Sequence, residues 1–151
     1  MSDAIKHECG IALIRLLKPL DYYVEKYRTP AYGLNKLYLL MEKQHNRGQD
    51  GAGAAVIKLD PVPGTPFINR YRSVKQQPIV DIFDNVFSHF PKNRKPLDNP
   101  KAESDWYKAN VPFVGELLLG HLRYGTYGKN NDSYCHPFLS KNNWMTRNLV
   151  V

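Results

Sequence analysis

The sequence is poor in cysteine and contains no long hydrophobic run. Cys9 and Cys135 are the only two cysteines among 151 residues, too few for the disulfide framework of a small secreted domain. No stretch approaches the roughly 20 apolar residues that cross a bilayer. Residues 1–8 lack the apolar segment of a secretory signal. These absences argue against a disulfide-stapled or membrane-bound protein, so we expect a protein of the reducing cytoplasm.

The chain carries an excess of positive charge. Lysine and arginine number 21 against 14 acidic residues, a formal net charge of +7. The densest basic cluster, at 92–95, lies among prolines and lacks the interleaved aromatic residues that stack on nucleic-acid bases. We therefore expect a solvated basic loop and no nucleic-acid partner. An anionic substrate or an acidic partner domain would account for the charge equally well.

The hydrophobic pattern predicts a mixed, α+β protein. The apolar run at 9–17 indicates a first strand, expected to be central in its sheet. Residues 20–31 are expected to form an irregular connection between two elements. Residues 91–112 are expected to form a long surface loop with a short helical turn at 103–108. Amphipathic periodicity predicts two helices, from Tyr32 to about Gln44 and at 80–90. Further strands are predicted at 54–59, 67–74, 115–124 and 144–151.

Cys9 stands directly before a glycine and a short apolar run. If the chain were cut after Glu8, Cys9 would carry both a thiol and a free α-amine. That pair combines a nucleophile and a general base in one residue, because an α-amine titrates near neutral pH. The competing interpretation is a small buried strand residue, since free cysteine is among the most buried residue types.

Two further polar positions have alternative interpretations. Arg123 ends an apolar strand, where its charge needs an anionic partner. That partner is either an internal carboxylate, Asp50 or Glu116, or the carboxylate of a ligand. Cys135 and His136 are adjacent, but no second pair stands at zinc-like spacing, so we interpret them as packing residues and expect no metal.

Three segments in this order resemble a known family. They are Cys9-Gly10-Ile11, the run from Gln44 to Gly53, and the run from Gly120 to Gly128 followed by His136-Pro137-Phe138. Together they are similar to the glutaminase domain of class II glutamine amidotransferases, and most similar to the amidophosphoribosyltransferase branch. The resemblance implies an incomplete αββα four-layer sandwich of the N-terminal-nucleophile hydrolase type. It divides the chain into a leader at 1–8 and the N-terminal part of the domain at 9–151.

The resemblance also implies the roles of individual residues. Cys9 would be the catalytic nucleophile, with its own amine as base. The substrate-binding positions would be Arg123, which pairs with the glutamine α-carboxylate, and its neighbours Tyr124 and Thr126. Arg47, Gly48 and Asp50 would support the cysteine from beneath. The implied reaction hydrolyses glutamine to glutamate and ammonia through a cysteine thioester, and the ammonia passes to a synthase domain making 5-phosphoribosylamine for purine biosynthesis.

The chain departs from the family pattern in two respects. Asn46 separates His45 from Arg47, where the family reads His-Arg-Gly. The family's oxyanion-hole pair, a later aspartate and the phosphoribosyltransferase-like domain would all follow Val151. Because the oxyanion-hole residues would be missing, we expect this stretch alone to be inactive. With residues 1–8 still attached, we expect it to be an unprocessed precursor. The resemblance implies glutamine as substrate, a homo-oligomer, and no cofactor in this domain, with Mg²⁺ confined to the synthase domain.

Two other functions remain open from the sequence. The chain would also suit another class II amidotransferase, such as the type that makes glucosamine 6-phosphate. A non-catalytic relative that binds an amino acid or a partner subunit is the alternative from a different functional class.

Overall fold

The fold is built on one antiparallel sheet. The computed structural model describes residues 8–125 and 131–139, and within them four strands lie in the order β1-β4-β2-β3. The strands are β1 (Gly10–Arg15), β2 (Gly51–Ile57), β3 (Ile68–Ser73) and β4 (Leu117–Arg123). All neighbouring strands are antiparallel. With the four α-helices of the same residues, this sheet confirms the α+β class.

Two amphipathic helices cover one face of the sheet. Helix α2 (Tyr32–Lys43) packs on β1 and β4, and α3 (Pro78–Ser88) packs on β2 and β3. Both helices were predicted from their periodicity, and both are confirmed. The main core lies between helices and sheet, and it includes Leu34, Leu37 and Met41 of α2, Ile82, Phe83 and Val86 of α3, and Ala54, Val56, Leu118 and Leu122 of the strands.

Two helices were missed or under-predicted from the sequence. Residues 20–31, expected to be an excursion, contain α1 (Leu20–Tyr27), and the expected loop at 91–112 contains α4 (Pro100–Asn110). The two helices pack together over a second, smaller core of Leu16, Leu20, Val24, Val111 and Val114. The Asn99 side chain caps α4 by accepting a hydrogen bond from the Ala102 N–H (3.0 Å).

The position of β1 corrects a prediction. Its apolar run suggested a central strand, but β1 pairs only with β4 and forms an edge of the described sheet. Ala12 faces the core, whereas Ile11 and Leu13 on the opposite face are 66 % and 64 % exposed. Both faces of β1 carry apolar side chains, but the described residues cover only one of the two faces.

A short segment crosses the outer face of the sheet, the face that α2 and α3 leave open. It begins with a 3₁₀ turn at Asp132–Tyr134 and continues to residue 139. Arg70 and Arg72 of β3 donate to the carbonyls of Pro137 and Cys135, each at 3.1 Å. Gly53 permits this crossing, because a Cβ there would lie 1.9 Å from the His136 carbonyl oxygen. Cys135 is fully buried, in agreement with its interpretation as a packing residue.

The predicted strand at 144–151 lies outside the described residues. Among the helices that are described, none has the length and hydrophobicity that a membrane crossing requires.

Candidate active site

Cys9 and Arg123 lie at the same end of the sheet, where β1 begins and β4 ends. Gly10 of β1 pairs with Leu122 of β4, and Cys9 and Arg123 are the residues next to this last pair. The Tyr124 N–H donates to Cys9 Sγ at 3.4 Å. Cys9 is exposed, so its thiol is accessible at the end of the strand that carries the arginine.

Arg123 is buried at the end of the central strand β4. Its side chain is 6 % exposed, and its guanidinium carbon lies 5.7 Å from the centre of the Tyr134 ring. Of the two internal carboxylates considered as partners, Glu116 lies seven residues back along the strand, roughly 23 Å away at the rise of a β-strand. Glu116 binds Lys108 instead. Glu116 is therefore excluded as the partner of Arg123, whereas Asp50 lies at the same strand end.

The turn between α2 and β2 packs against the same strand ends. A Cβ on Gly48 would lie 2.6 Å from the backbone of Arg123, so only glycine allows this approach without a shift. The Asp50 N–H donates to the Arg123 carbonyl (3.1 Å), and an Asp50 carboxylate oxygen accepts from the Gly125 N–H (2.8 Å). Gln44 donates its side-chain amide to the Ile11 carbonyl (3.2 Å). The turn thereby fixes the backbone on both sides of the Cys9–Arg123 pair.

The other residues expected at the site are Tyr124, Arg47 and Thr126. Tyr124 contacts Cys9 through its backbone, with its carbonyl oxygen 4.0 Å from Sγ. The Arg47 side chain is exposed, and its N–H donates to the Gln44 carbonyl (2.8 Å) within the turn. Asn46, the extra residue of the turn, is exposed as well. Thr126 lies outside the described residues.

His121 was not singled out from the sequence, yet it shares the site. It precedes Arg123 by two residues on β4 and therefore projects from the same face. It is 7 % exposed, and its Nδ1 atom has no hydrogen-bond partner within residues 8–125 and 131–139. Burial, with the nearby His136 and Arg123, lowers the pKa of His121 to about 4. A histidine inside an apolar strand was the signal that could have found it.

The two cysteines occupy opposite environments. Cys135 is buried, with its Sγ 3.9 Å from the Ser73 carbonyl oxygen, and burial raises the pKa of its thiol although Arg123 and Arg72 oppose the shift. A raised pKa keeps the thiol protonated and unreactive. Cys9 is exposed, so an electrophile in solution should reach Cys9 and not Cys135.

A cavity of about 320 Å³ opens on the other side of the same turn. Glu42, His45, Gly48 and the first residues of α3 line it. Neither Cys9 nor Arg123 is among its lining residues, so we do not assign it to the cysteine site. The described residues contain no cluster of three or more histidine, cysteine or acidic side chains that could hold a metal ion.

Comparison with known proteins finds no matching family model, no matching curated protein and no matching solved structure. The described fold defines the chain as a mixed α+β protein with an antiparallel sheet.

Proposed function

We propose that this chain is the N-terminal part of a glutaminase domain of the N-terminal-nucleophile type. The observation that carries the proposal is the contact of Cys9 with the end of the strand that carries Arg123: the Tyr124 N–H donates to Cys9 Sγ at 3.4 Å, and the neighbouring residues Gly10 and Leu122 are paired. Cys9 and Arg123 are far apart in the sequence, and the motif resemblance assigns a role to each of them. An accessible thiol and a buried guanidinium at the same strand end supply two parts of such a site, a nucleophile and a group that can bind the substrate carboxylate.

In the proposed reaction the Cys9 thiolate attacks the side-chain amide carbon of glutamine. Ammonia leaves as the C–N bond breaks, and the leaving nitrogen takes a proton from the Cys9 α-ammonium group. Water then hydrolyses the γ-glutamyl thioester, releasing glutamate and regenerating the thiol. Because Glu8 is joined to Cys9 in this sequence, the α-amine becomes available only after residues 1–8 are removed. Leader removal is therefore the activating step.

Arg123 would bind the α-carboxylate of the substrate. A guanidinium matches a carboxylate with two parallel N–H···O bonds, which fixes direction as well as affinity. Gly48 and Asp50 hold the Arg123 backbone from beneath. This support favours a guanidinium in a constant position relative to the sulfur, as a substrate clamp requires.

The exposed outer face of the sheet supports the four-layer sandwich as the complete fold. Ile11 and Leu13 are exposed on this face. A cavity of about 250 Å³ is lined there by residues that include Leu13, Leu117, Leu119 and Phe138. A second sheet packed there would bury these side chains and turn the open site into a cleft. The ammonia would pass to a synthase domain, which we propose makes 5-phosphoribosylamine.

Selective alkylation tests the proposal. The protein is expressed from its complete reading frame and treated with a diazoketone analogue of glutamine, and the modified peptides are identified by mass spectrometry. We expect a chain that starts at Cys9, one label per chain on Cys9, and protection by glutamine. Buried Cys135 is the internal control and stays unlabelled.

A Cys9→Ser variant should lose both the label and glutamine hydrolysis. A processed protein in which Cys9 reacts no faster with the glutamine analogue than with a simple alkylating agent would contradict the proposal. Glutamine binding without labelling or hydrolysis would favour the non-catalytic amino-acid binder.

A further inference from the structure

We propose that Tyr134 is a positioning residue that fixes the guanidinium of Arg123 and thereby sets the affinity for the substrate α-carboxylate. The inference rests on the proposed glutaminase function and adds a specificity determinant to it. Neither the family motif nor the periodicity of the sequence pointed to Tyr134.

The contact between the two side chains carries the inference. The Arg123 guanidinium carbon lies 5.7 Å from the Tyr134 ring centre, within the range of a cation–π contact. Arg123 is buried, whereas Tyr134 is 47 % exposed. A ring contact is made through the planar face of the guanidinium, so it restrains the group without using its N–H donors.

Tyr134 is itself held by contacts that do not involve Arg123. It belongs to the 3₁₀ turn, whose start is capped by the Asn131 side chain accepting from the Ser133 N–H (2.9 Å). The next residue, Cys135, donates its N–H to the Asp132 carbonyl (2.9 Å). Arg72 of β3 holds the Cys135 carbonyl at 3.1 Å. The ring is therefore carried by a turn fastened to the sheet.

The location of Cys135 adds to this arrangement. Its sulfur is close enough to Gly51 that a Cβ on that glycine would lie 2.6 Å from Sγ, and Gly51 is the β2 partner of Arg123. The electrostatic influence of Arg123 on the pKa of the Cys135 thiol also indicates that the guanidinium lies near this turn. The turn carrying Tyr134 and the strand end carrying Arg123 are thus packed against each other.

The test compares Tyr134→Leu, which removes the π face, with Tyr134→Phe, which keeps it. In the processed, complete protein we expect the leucine variant to raise KM for glutamine about tenfold, the scale of a partly desolvated cation–π contact. The value of kcat should stay within about twofold, because the contact restrains binding and takes no part in proton transfer. The phenylalanine variant should keep both constants close to those of the parent.

A second readout separates positioning from a general loss of structure. In Tyr134→Leu the alkylation rate of Cys9 by the diazoketone analogue should fall as KM for glutamine rises, whereas its rate with iodoacetamide, which has no α-carboxylate, should not change. Tyr27→Ala is the matched control, because Tyr27 is similarly exposed on α1 and should leave both rates unchanged.

The outcomes distinguish the two proposals. An unchanged KM in Tyr134→Leu, an equal rise in the phenylalanine variant, or a fall in kcat alone would overturn the role of Tyr134 while leaving the glutaminase standing. A parent protein whose Cys9 shows no preference for the glutamine analogue would overturn both.

Discussion

The two ends of the sheet differ in how completely their buried polar groups are bonded. At the end where β2 finishes and β4 begins, Lys58, Lys108 and Glu116 are all buried and all bonded. Lys58 donates to the carbonyls of Lys108 (2.5 Å) and Val111 (2.9 Å) at the end of α4. Glu116 binds Lys108 and accepts from the Leu59 N–H (2.8 Å). This closed cluster joins α4 to the sheet.

The opposite end holds Cys9, His121 and Arg123, and it is left open. The thiol is exposed, and one buried histidine nitrogen has no partner within residues 8–125 and 131–139. A buried polar atom without a partner costs about 1–3 kcal/mol, and such atoms in native proteins call for a specific explanation. One end of the sheet is therefore organised for stability, whereas the other retains a buried histidine nitrogen that has no partner among the described residues, a feature that is typical of functional sites.

Breaking the closed end should have the largest effect on stability. Glu116→Gln removes the one negative charge of the cluster and leaves two buried ammonium groups. The expected loss in the free energy of unfolding is about 3–5 kcal/mol, measured by urea titration. Asp105→Asn is the control, because it breaks the exposed Lys101–Asp105 pair and should cost less than about 0.5 kcal/mol. Equal losses in the two variants would contradict the assignment.

The open end should make stability depend on pH through His121. Its pKa falls from 6.5 in the unfolded chain to about 4 in the fold, so the unfolded state binds the proton first as pH drops. Stability is therefore fully present above about pH 6.5 and declines toward pH 4, by on the order of 3 kcal/mol. The measurement compares urea midpoints at about pH 7.5 and about pH 5. Most of this loss of stability at low pH should disappear in the His121→Gln variant. A variant whose stability falls with pH as steeply as that of the parent would contradict the prediction.

The turn beneath the site should tolerate almost no added volume at one position. Gly48→Ala brings a methyl group within 2.6 Å of the Arg123 backbone, and relieving that overlap should cost about 1–3 kcal/mol. Asn46→Ala in the same turn alters an exposed side chain and should change stability by less than about 0.5 kcal/mol. Thermal unfolding measures both. If the two variants melt together, the turn is not packed on the strand as described.

The sequence predicted elements whose apolar pattern reflects their own packing. Helices α2 and α3 and strands β3 and β4 follow their periodicity to within a few residues. Helix α1 escaped prediction because Leu20 and Val24 are its only buried residues, so its stability comes from α4. The sequence of α4 contains a recognisable helix N-terminus at Asn99-Pro100, a capping residue followed by a proline in the first turn. Its many charged residues nevertheless made the whole region resemble a loop.

Strand β1 was misplaced for a different reason. An apolar run indicates burial on both faces, and it was interpreted as a central position. The structure shows an edge strand with Ile11 and Leu13 exposed, because the pattern records how many faces are apolar and not how many neighbours the strand has. For the site, the motifs named Cys9 and Arg123, but the contacts of His121 and Tyr134 depend on a turn folding back over the sheet, which no local pattern encodes.

The most direct test of the account is whether Arg123 controls which electrophile reaches Cys9. Alkylation rates of Cys9 are measured in the processed parent and in Arg123→Lys, with the diazoketone analogue of glutamine and with iodoacetamide. A lysine keeps the charge and loses the two-pronged contact. We predict a fall of about tenfold or more with the analogue and an unchanged rate with iodoacetamide. Equal changes with both reagents, or none with either, would contradict a shared Cys9–Arg123 site.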